Sequence, residues 1–310
     1  MTAAPMRIRL TGASGFVGRH LLAALRDAFP AATIDTDRID LTDPAAIDAA
    51  IAATRPDLCL HLAAVSTVRE AREREDHAWT VNLFGALHLA RAILRHAPAC
   101  RLLFASSAEA YGASFRTHAP ITEAAPLAPM NTYGATKAAA DIALGAMAEQ
   151  GLRLIRVRPF NHSGAGQGTA FVVAAFARQV ARIAAGQQAP RMVVGNLAAQ
   201  RDFLDVRDVC QAYVACIRHA DALPPNVVLN LASGQPRRIG DILDTLIAMA
   251  GVEADVQVDP GLLRPSDLPL TQGDSALMRR LTGWQPTIPW DDTLRTVLAD
   301  WRHRVAAGTD

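Results

Sequence analysis

The sequence predicts an α/β fold: a doubly wound parallel sheet with a smaller, interleaved domain toward the C-terminus. Three observations carry this expectation. Short apolar runs alternate with helical patterns through the first half of the chain, the arrangement that builds right-handed βαβ units. The runs at 58–65 and 102–105 lack polar alternation, as strands covered on both faces do. Directly after the first strand, Gly12, Gly15 and Gly18 give the spacing GxxGxxG at the start of a helix, the context a Rossmann-type dinucleotide turn requires.

Taken in order, RIRLTG reads as a strand, and GRHLLAALRDAF as a helix with Leu21, Leu22 and Leu25 on one face. ATIDTD is a short strand, DPAAIDAAIAATRP a helix and LCLHLAAV a buried strand. One long helix is expected in TVNLFGALHLARAILRHA, then the strand CRLLFASS, the helix YGATKAAADIALGAMAEQG and the strand RLIRVRPFN. The second half changes character, with FVVAAFARQVARIAAG, RMVVGN, DFLDVRDVCQAYVACIRHA and VVLNLASG, and no internal repeat. IGDILDTLIAMAGVEADVQVDP reads as helix then strand, followed by the proline-rich loop GLLRPSDLP. The expected division is a dinucleotide-binding domain over 1–160, with a returning segment near 203–232, and a mainly substrate-binding domain over 161–310.

Composition excludes several classes. The 310 residues are 50% hydrophobic and 20% charged, a globular balance. With 31 basic against 30 acidic residues the formal net charge is +1, which argues against a nucleic-acid partner. Cys59, Cys100, Cys210 and Cys216 show no paired spacing, so reduced thiols and a cytoplasmic location are expected. MRIRLTG enters a strand at once, so no signal peptide is expected. No apolar run approaches the roughly 20 residues that span a bilayer, so no membrane partner is expected. Nor does any histidine–carboxylate or Cys/His spacing suggest a metal.

At the glycine turn the backbone can approach a pyrophosphate, which the helix N-terminus attracts. Asp35 ends the second strand seventeen residues after Gly18, where a carboxylate can hold both ribose hydroxyls of NAD. Arg38 could instead accept a 2′-phosphate, and Asp37 is a second acid whose plain reading is a surface group. The cofactor expectation is therefore NAD(P)H, leaning to NAD(H).

Tyr133 and Lys137 form YxxxK on one helical face. An ammonium close to a phenol favours the phenolate, so Lys137 is expected to draw the Tyr133 pKa down from about 10 toward neutrality. Ser107, at an earlier strand end, completes a candidate catalytic group.

With these residues in place, the chain resembles the extended short-chain dehydrogenase/reductase family over residues 6–300. TGASGFVG, DLTD at 40–43, HLAA at 61–64, VNLFG at 81–85 and YGATK carry the resemblance. It implies that Gly12, Gly15, Phe16, Val17, Gly18 and Ala63 line the cofactor. Asp40 and Leu41 would lie beside the adenine and Asn82 near the fourth strand and the cofactor. It also implies that Ser107 hydrogen-bonds the sugar oxygen at the reacting carbon, that Tyr133 moves the proton, and that Lys137 holds the nicotinamide ribose. Within the family, RPFNHSGAGQ at 158–167, VGNLAAQRDFLDVRDVCQAY at 194–213 and LLRPSDLP at 262–269 are most similar to reductases of GDP-6-deoxy-4-keto-D-mannose that form GDP-D-rhamnose. That likeness implies a GDP-sugar substrate, with Asn161 at the sugar or phosphates and Arg201 and Arg264 clamping the diphosphate, as guanidinium forks can. Asn196 is a candidate guanine contact, and His162 reads as a hydrogen-bonded structural residue.

Glu109 leaves alternatives open. If the backbone stays extended past Ser107, period two puts both residues on one face of the strand and the carboxylate in the substrate cleft. There it can accept hydrogen bonds from sugar hydroxyls, act as the C5 base of a GDP-mannose 4,6-dehydratase, or stand solvated. A nucleotide-sugar 4-epimerase would use the same Tyr/Lys pair, and a non-catalytic dinucleotide sensor is the alternative outside the enzymes. Helices near 76–97 and 133–150 carry alanine and leucine on several faces, which suits extra intrachain core or, as the resemblance implies, a four-helix homodimer interface.

Overall fold

The computed structural model describes residues 5–263 and 268–310. Strand β1 (Arg7–Thr11) leads into helix α1 (Phe16–Ala28), and β2 (Thr33–Asp35) into α2 (Pro44–Thr54). Asp43 caps α2, its Oδ1 accepting the amides of Ala45 and Ala46 at 2.9 and 3.2 Å, and Pro44 occupies the first helical turn. After β3 (Leu58–His61) come the short helices α3 (Val68–Glu73) and α4 (Glu75–Trp79), then α5 (Ala86–His96), β4 (Arg101–Ala105), α6 (Thr132–Met147) and β5 (Arg153–Pro159).

The expected long helix is broken. Thr80–Gly85 forms a π-helical turn between α4 and α5, a distortion that lets side chains reach partners off the regular helical face. Here it carries Asn82, whose side chain binds the loop after β3. The strand expected over LCLHLAAV is shorter too, ending at His61, where Leu62 and Ala63 turn beneath the glycine loop.

Beyond β5 the chain runs through β6 (Asn161–Ser163), α7 (Val172–Ala184), β7 (Arg191–Val194), β8 (Gln200–Asp205) and α8 (Val206–Arg218). It then returns to the main sheet as β9 (Asn226–Leu231). The remaining elements are β10 (Pro236–Arg238), α9 (Ile239–Ala250), β11 (Asp255–Val258), β12 (Leu270–Thr271), α10 (Ala276–Thr282) and α11 (Trp290–Ala307).

The main sheet has six strands in the order β2-β1-β3-β4-β5-β9, and every adjacent pair is parallel. This is the doubly wound parallel sheet that the sequence predicts. Ile8, Leu10, Leu58 and Leu60 pack on one face with α1 and α8, and Cys59, Leu102 and Phe104 on the other with α2, α5 and α6. Each fully buried leucine in these layers contributes about 1.5–3 kcal/mol. A separate core joins α7, α9 and α11 to β7 and β8. β8 belongs to a small sheet in the order β10-β8-β12, with β6 also pairing to it, while β7 and β11 form a two-stranded sheet. β1 has β2 on one side and β3 on the other, so the winding reverses between β1 and β3. In such sheets the crevice at the carboxyl ends of the strands receives the ligand.

Candidate active site

At that crevice the glycines of the first turn are under steric demand. Gly12 has φ +75°, and a Cβ on it would lie 2.7 Å from the Ala63 amide nitrogen. A Cβ on Gly18 would lie 2.0 Å from the Gly12 carbonyl oxygen. Only glycine lets the turn, the first turn of α1 and the Ala63 loop approach this closely. Gly15 precedes α1, whose first helical residues are Phe16 and Val17, and the α1 N-terminus thus opens onto the crevice. These features fit a dinucleotide pyrophosphate. Beneath them, Thr11 Oγ1 and His61 Nδ1 are 2.8 Å apart. Burial pushes the His61 pKa down to about 3, helped by the charge of Lys137, so this ring is a neutral strut.

The candidate adenosine-side residues already carry contacts within the chain. Asp35 is not a free carboxylate: it pairs with the buried guanidinium of Arg9 and accepts the Asp37 amide at 2.9 Å. Asp40 is exposed and accepts the Thr42 hydroxyl and amide at 2.7 and 2.8 Å, which hold its carboxyl below the usual range. Leu41 is buried against Gly85, and Arg38 is exposed. Asn82 is 1% exposed and fully engaged: its Oδ1 accepts the Val65 amide at 2.8 Å, and its Nδ2 donates to the Val65 carbonyl and Thr136 Oγ1, each at 3.0 Å. It ties the β3 loop to α6.

Ser107, Tyr133 and Lys137 meet where β4 ends against α6. Ser107 is buried and caps a short 3-10 turn over Ala108–Ala110, its Oγ accepting the Glu109 amide at 3.1 Å. The backbone therefore does not stay extended past Ser107, because the serine's own side chain satisfies the turn. Glu109 reaches the site by that turn and not by strand alternation. Its Oε2 accepts Asn131 Nδ2 at 2.9 Å, while Asn131 Oδ1 caps α6 by accepting the Gly134 amide at 2.8 Å. One asparagine thus fixes both the carboxylate and the start of the helix that bears Tyr133.

The Tyr133 phenol is not drawn toward neutrality. Burial pushes it up to about 12; the Ser107 hydroxyl pulls it down and the Glu109 charge adds to the rise. Lys137 Nζ donates instead to the Ala105 carbonyl at 2.7 Å and lies 5.0 Å from the centre of the Phe104 ring. In this arrangement Tyr133 is a loaded proton donor at neutral pH. Burial lowers Lys137 from 10.5 to about 8, with Asp141 pulling the other way. The folded state therefore pays to hold this ammonium below pH 8, and the cost fades between pH 8 and 10.5 as the folded, then the unfolded, chain loses the proton. Lys137→Met should raise thermal stability at pH 7 by a few degrees, the order of about 1–3 kcal/mol, while abolishing turnover. Melting curves at pH 7 and pH 10 test this: the gain should shrink at the higher pH, and an equal gain at both would contradict it.

The remaining candidate residues lie on β6, β8 and the loops beside them. Asn161 is half-buried at the start of β6, in register with Phe203 of β8. His162 Nδ1 meets the Phe160 carbonyl at 2.9 Å, and its ring stacks on Phe16 at 6.2 Å, which joins β6 to the glycine-turn helix. Arg201 on β8 donates to the Leu268 and Gln200 carbonyls at 2.7 and 2.8 Å. Asn196 Oδ1 accepts the Ala198 amide at 2.9 Å in a loop after β7. Arg264 lies outside the described residues. Among the described residues no cluster of three or more His, Cys, Asp or Glu could hold a metal ion, and no helix is long and apolar enough to cross a membrane.

Sequence reasoning missed Arg9, Asn131 and the buried support under the site. Asp141, one turn beyond Lys137, is fully buried and accepts from Arg156 at 3.0 Å and from Arg158 at 2.9 Å. Arg158 Nη1 donates to the Tyr111 hydroxyl at 3.0 Å, and Tyr111 donates to Asn230 Oδ1 at 2.7 Å. The signal lay in charges placed inside strand and helix patterns otherwise apolar.

The model of the NAD dependent epimerase/dehydratase family matches residues 8–232. The chain is 37% identical over 302 residues to the GDP-6-deoxy-D-mannose reductase of Pseudomonas aeruginosa, covering 96% of this chain and 98% of that one. It is 27% identical over 289 residues to the GDP-6-deoxy-D-talose 4-dehydrogenase of Aggregatibacter actinomycetemcomitans, covering 90% and 92%. The solved structure of RMD from Pseudomonas aeruginosa complexed with NADPH matches with a TM-score of 0.87 at 34% identity, over 96% of this chain and 99% of that one.

Proposed function

The chain belongs to the NAD dependent epimerase/dehydratase family, and on that premise we propose that it reduces the C4 keto group of a GDP-4-keto-6-deoxy-hexose with NAD(P)H, giving GDP-D-rhamnose. The observation that carries this reading is the extent of the likeness to GDP-6-deoxy-D-mannose reductase. It runs through 96% of the chain, including the second half that supplies the sugar side. In this reading residues 1–160 with 203–232 hold the dinucleotide, and 161–310 mainly hold the substrate.

A bound reduced nicotinamide supplies the hydride; the chain supplies the rest. Gly12, Gly15, Phe16, Val17, Gly18 and Ala63 line the pyrophosphate, Lys137 the nicotinamide ribose, and Asp35, Arg38, Asp40 and Leu41 the adenosine. Ser107 polarises the C4 carbonyl, and the protonated Tyr133 neutralises the oxyanion as it forms, an acid's contribution of about 10²–10⁴-fold. Glu109, oriented by Asn131, accepts sugar hydroxyls. Asn161, Asn196, Arg201 and Arg264 hold the GDP moiety.

The test mixes the purified protein with GDP-4-keto-6-deoxymannose and NADH or NADPH. Oxidation of one cofactor per sugar reduced, with NMR identifying GDP-D-rhamnose, is the expected result. A talose product would correct the C4 configuration. Absence of oxidation with either cofactor, together with dehydration of GDP-mannose in the presence of NAD⁺ or NADP⁺, would make Glu109 a C5 base and the enzyme a dehydratase.

A cytoplasmic location fits the four buried free cysteines. A homodimer fits Phe84 and Ile142, large apolar side chains that are 50% and 60% exposed on the π-helical turn and α6; a monomer in sedimentation would remove that assignment.

A further inference from the structure

Arg9 is an unusual residue for its place. It sits in the middle of β1, between β2 and β3, in register with Asp35 on one side and Cys59 on the other. It is 2% exposed. Its neighbours Ile8 and Leu10 point into the opposite apolar layer. An arginine buried at such a position is costly unless its charge is matched. The match is specific. Nη1 donates to Asp35 Oδ2, and Nη2 donates to the Asp37 carbonyl at 2.5 Å. Nε is buried and makes no hydrogen bond among the described residues, so the guanidinium is held for what its two outer nitrogens do.

Those nitrogens act on the carboxylate at the adenosine end of the crevice. An acid at the end of the second strand accepts the ribose hydroxyls of NAD, and its charge repels a 2′-phosphate. Here a fixed positive charge lies behind that acid, within the sheet. Seen from the ribose side, the Arg9–Asp35 pair carries little net charge, although the carboxylate keeps lone pairs for a hydroxyl. The exposed rim adds Arg38, with Asp37 and Asp40 beside it.

We infer that Arg9 is a specificity-determining residue: by neutralising Asp35 from inside the sheet, it lets this chain bind NADPH about as well as NADH, where Asp35 alone would select NADH. The inference rests on the dinucleotide-binding part of the proposed function and is independent of the sugar.

The experiment titrates NADH and NADPH into the protein without any sugar, following the fluorescence of the reduced nicotinamide. For the unaltered chain the two dissociation constants should agree within about tenfold. Arg9→Met removes the charge but keeps an apolar stem, and should weaken NADPH relative to NADH by about tenfold or more. The double variant Arg9→Met/Asp35→Asn, again a pair without net charge, should return the ratio to that of the unaltered chain. It also carries the test if the single variant, with its acid unpaired, fails to fold. Rejection of NADPH by more than tenfold in the unaltered chain would overturn the inference. So would an unchanged ratio in folded Arg9→Met, or a double variant that favours NADPH by more than tenfold over the unaltered chain. Binding of neither dinucleotide would overturn it together with the reductase reading. Binding of both without oxidation by a keto sugar would overturn only the latter.

Discussion

Tyr133→Phe is expected to lower turnover about a thousandfold while leaving the dissociation constant of the reduced cofactor within about threefold. The phenol is pushed up to about 12 by burial, with Ser107 opposing and Glu109 reinforcing the rise. It is therefore protonated throughout the neutral range and can give its proton to a sugar oxyanion without first being charged. Phenylalanine keeps the ring and loses the proton, so no comparable acid remains near Ser107. The same geometry sets the sign of the pH dependence. Tyr133 stays loaded across the working range, whereas Lys137, lowered to about 8 by burial, loses its charge as pH rises. Turnover of the unaltered chain should thus fall through about pH 8. Steady-state loss of reduced-cofactor absorbance measures both effects. More than about a tenth of normal turnover in Tyr133→Phe would remove Tyr133 from the acid role.

Gly18→Ala should weaken dinucleotide binding about a hundredfold and lower the melting temperature by several degrees. Its Cβ would lie 2.0 Å from the Gly12 carbonyl oxygen and 2.8 Å from the Ala13 Cα. Both obstacles are backbone, so neither can swing away as a side chain would. The turn must lift off the helix, and the amides that face the pyrophosphate move with it. Gly168→Ala is the control, since a Cβ there meets nothing within 4 Å. Fluorescence titration and thermal melts of the two variants should differ sharply. Equal behaviour would mean that the close packing at Gly18 does not shape the cofactor site.

The layers of this fold were legible because the central strands β3 and β4 are buried on both faces and the covering helices turn apolar residues toward them. The glycine turn was legible for a related reason: close backbone approach leaves few alternatives to glycine. What escaped depends on partners distant in sequence. The π-helical turn at Thr80–Gly85 accompanies the clamp of Asn82 on Val65 and Thr136, and no periodicity encodes it. Strand alternation past Ser107 would place Glu109 by an extended backbone, but Ser107 is a good cap and bends the chain at once. That Asp35 is engaged by Arg9 is not legible, because Arg9 lies 26 residues away and meets it only through strand register. The expected lowering of the Tyr133 pKa assumed that helical spacing sets the distance that matters; Lys137 turns instead to the Ala105 carbonyl.

The measurement that tests the account most directly is a single turnover with reduced cofactor carrying deuterium at the transferable nicotinamide position and GDP-4-keto-6-deoxymannose, analysed by NMR. Direct reduction predicts one deuterium at C4 of the product sugar, one cofactor oxidised per sugar, and no solvent hydrogen at C5. Product lacking deuterium at C4, or solvent exchange at C5 with no net cofactor oxidation, would contradict hydride delivery to C4 beside Ser107 and Tyr133.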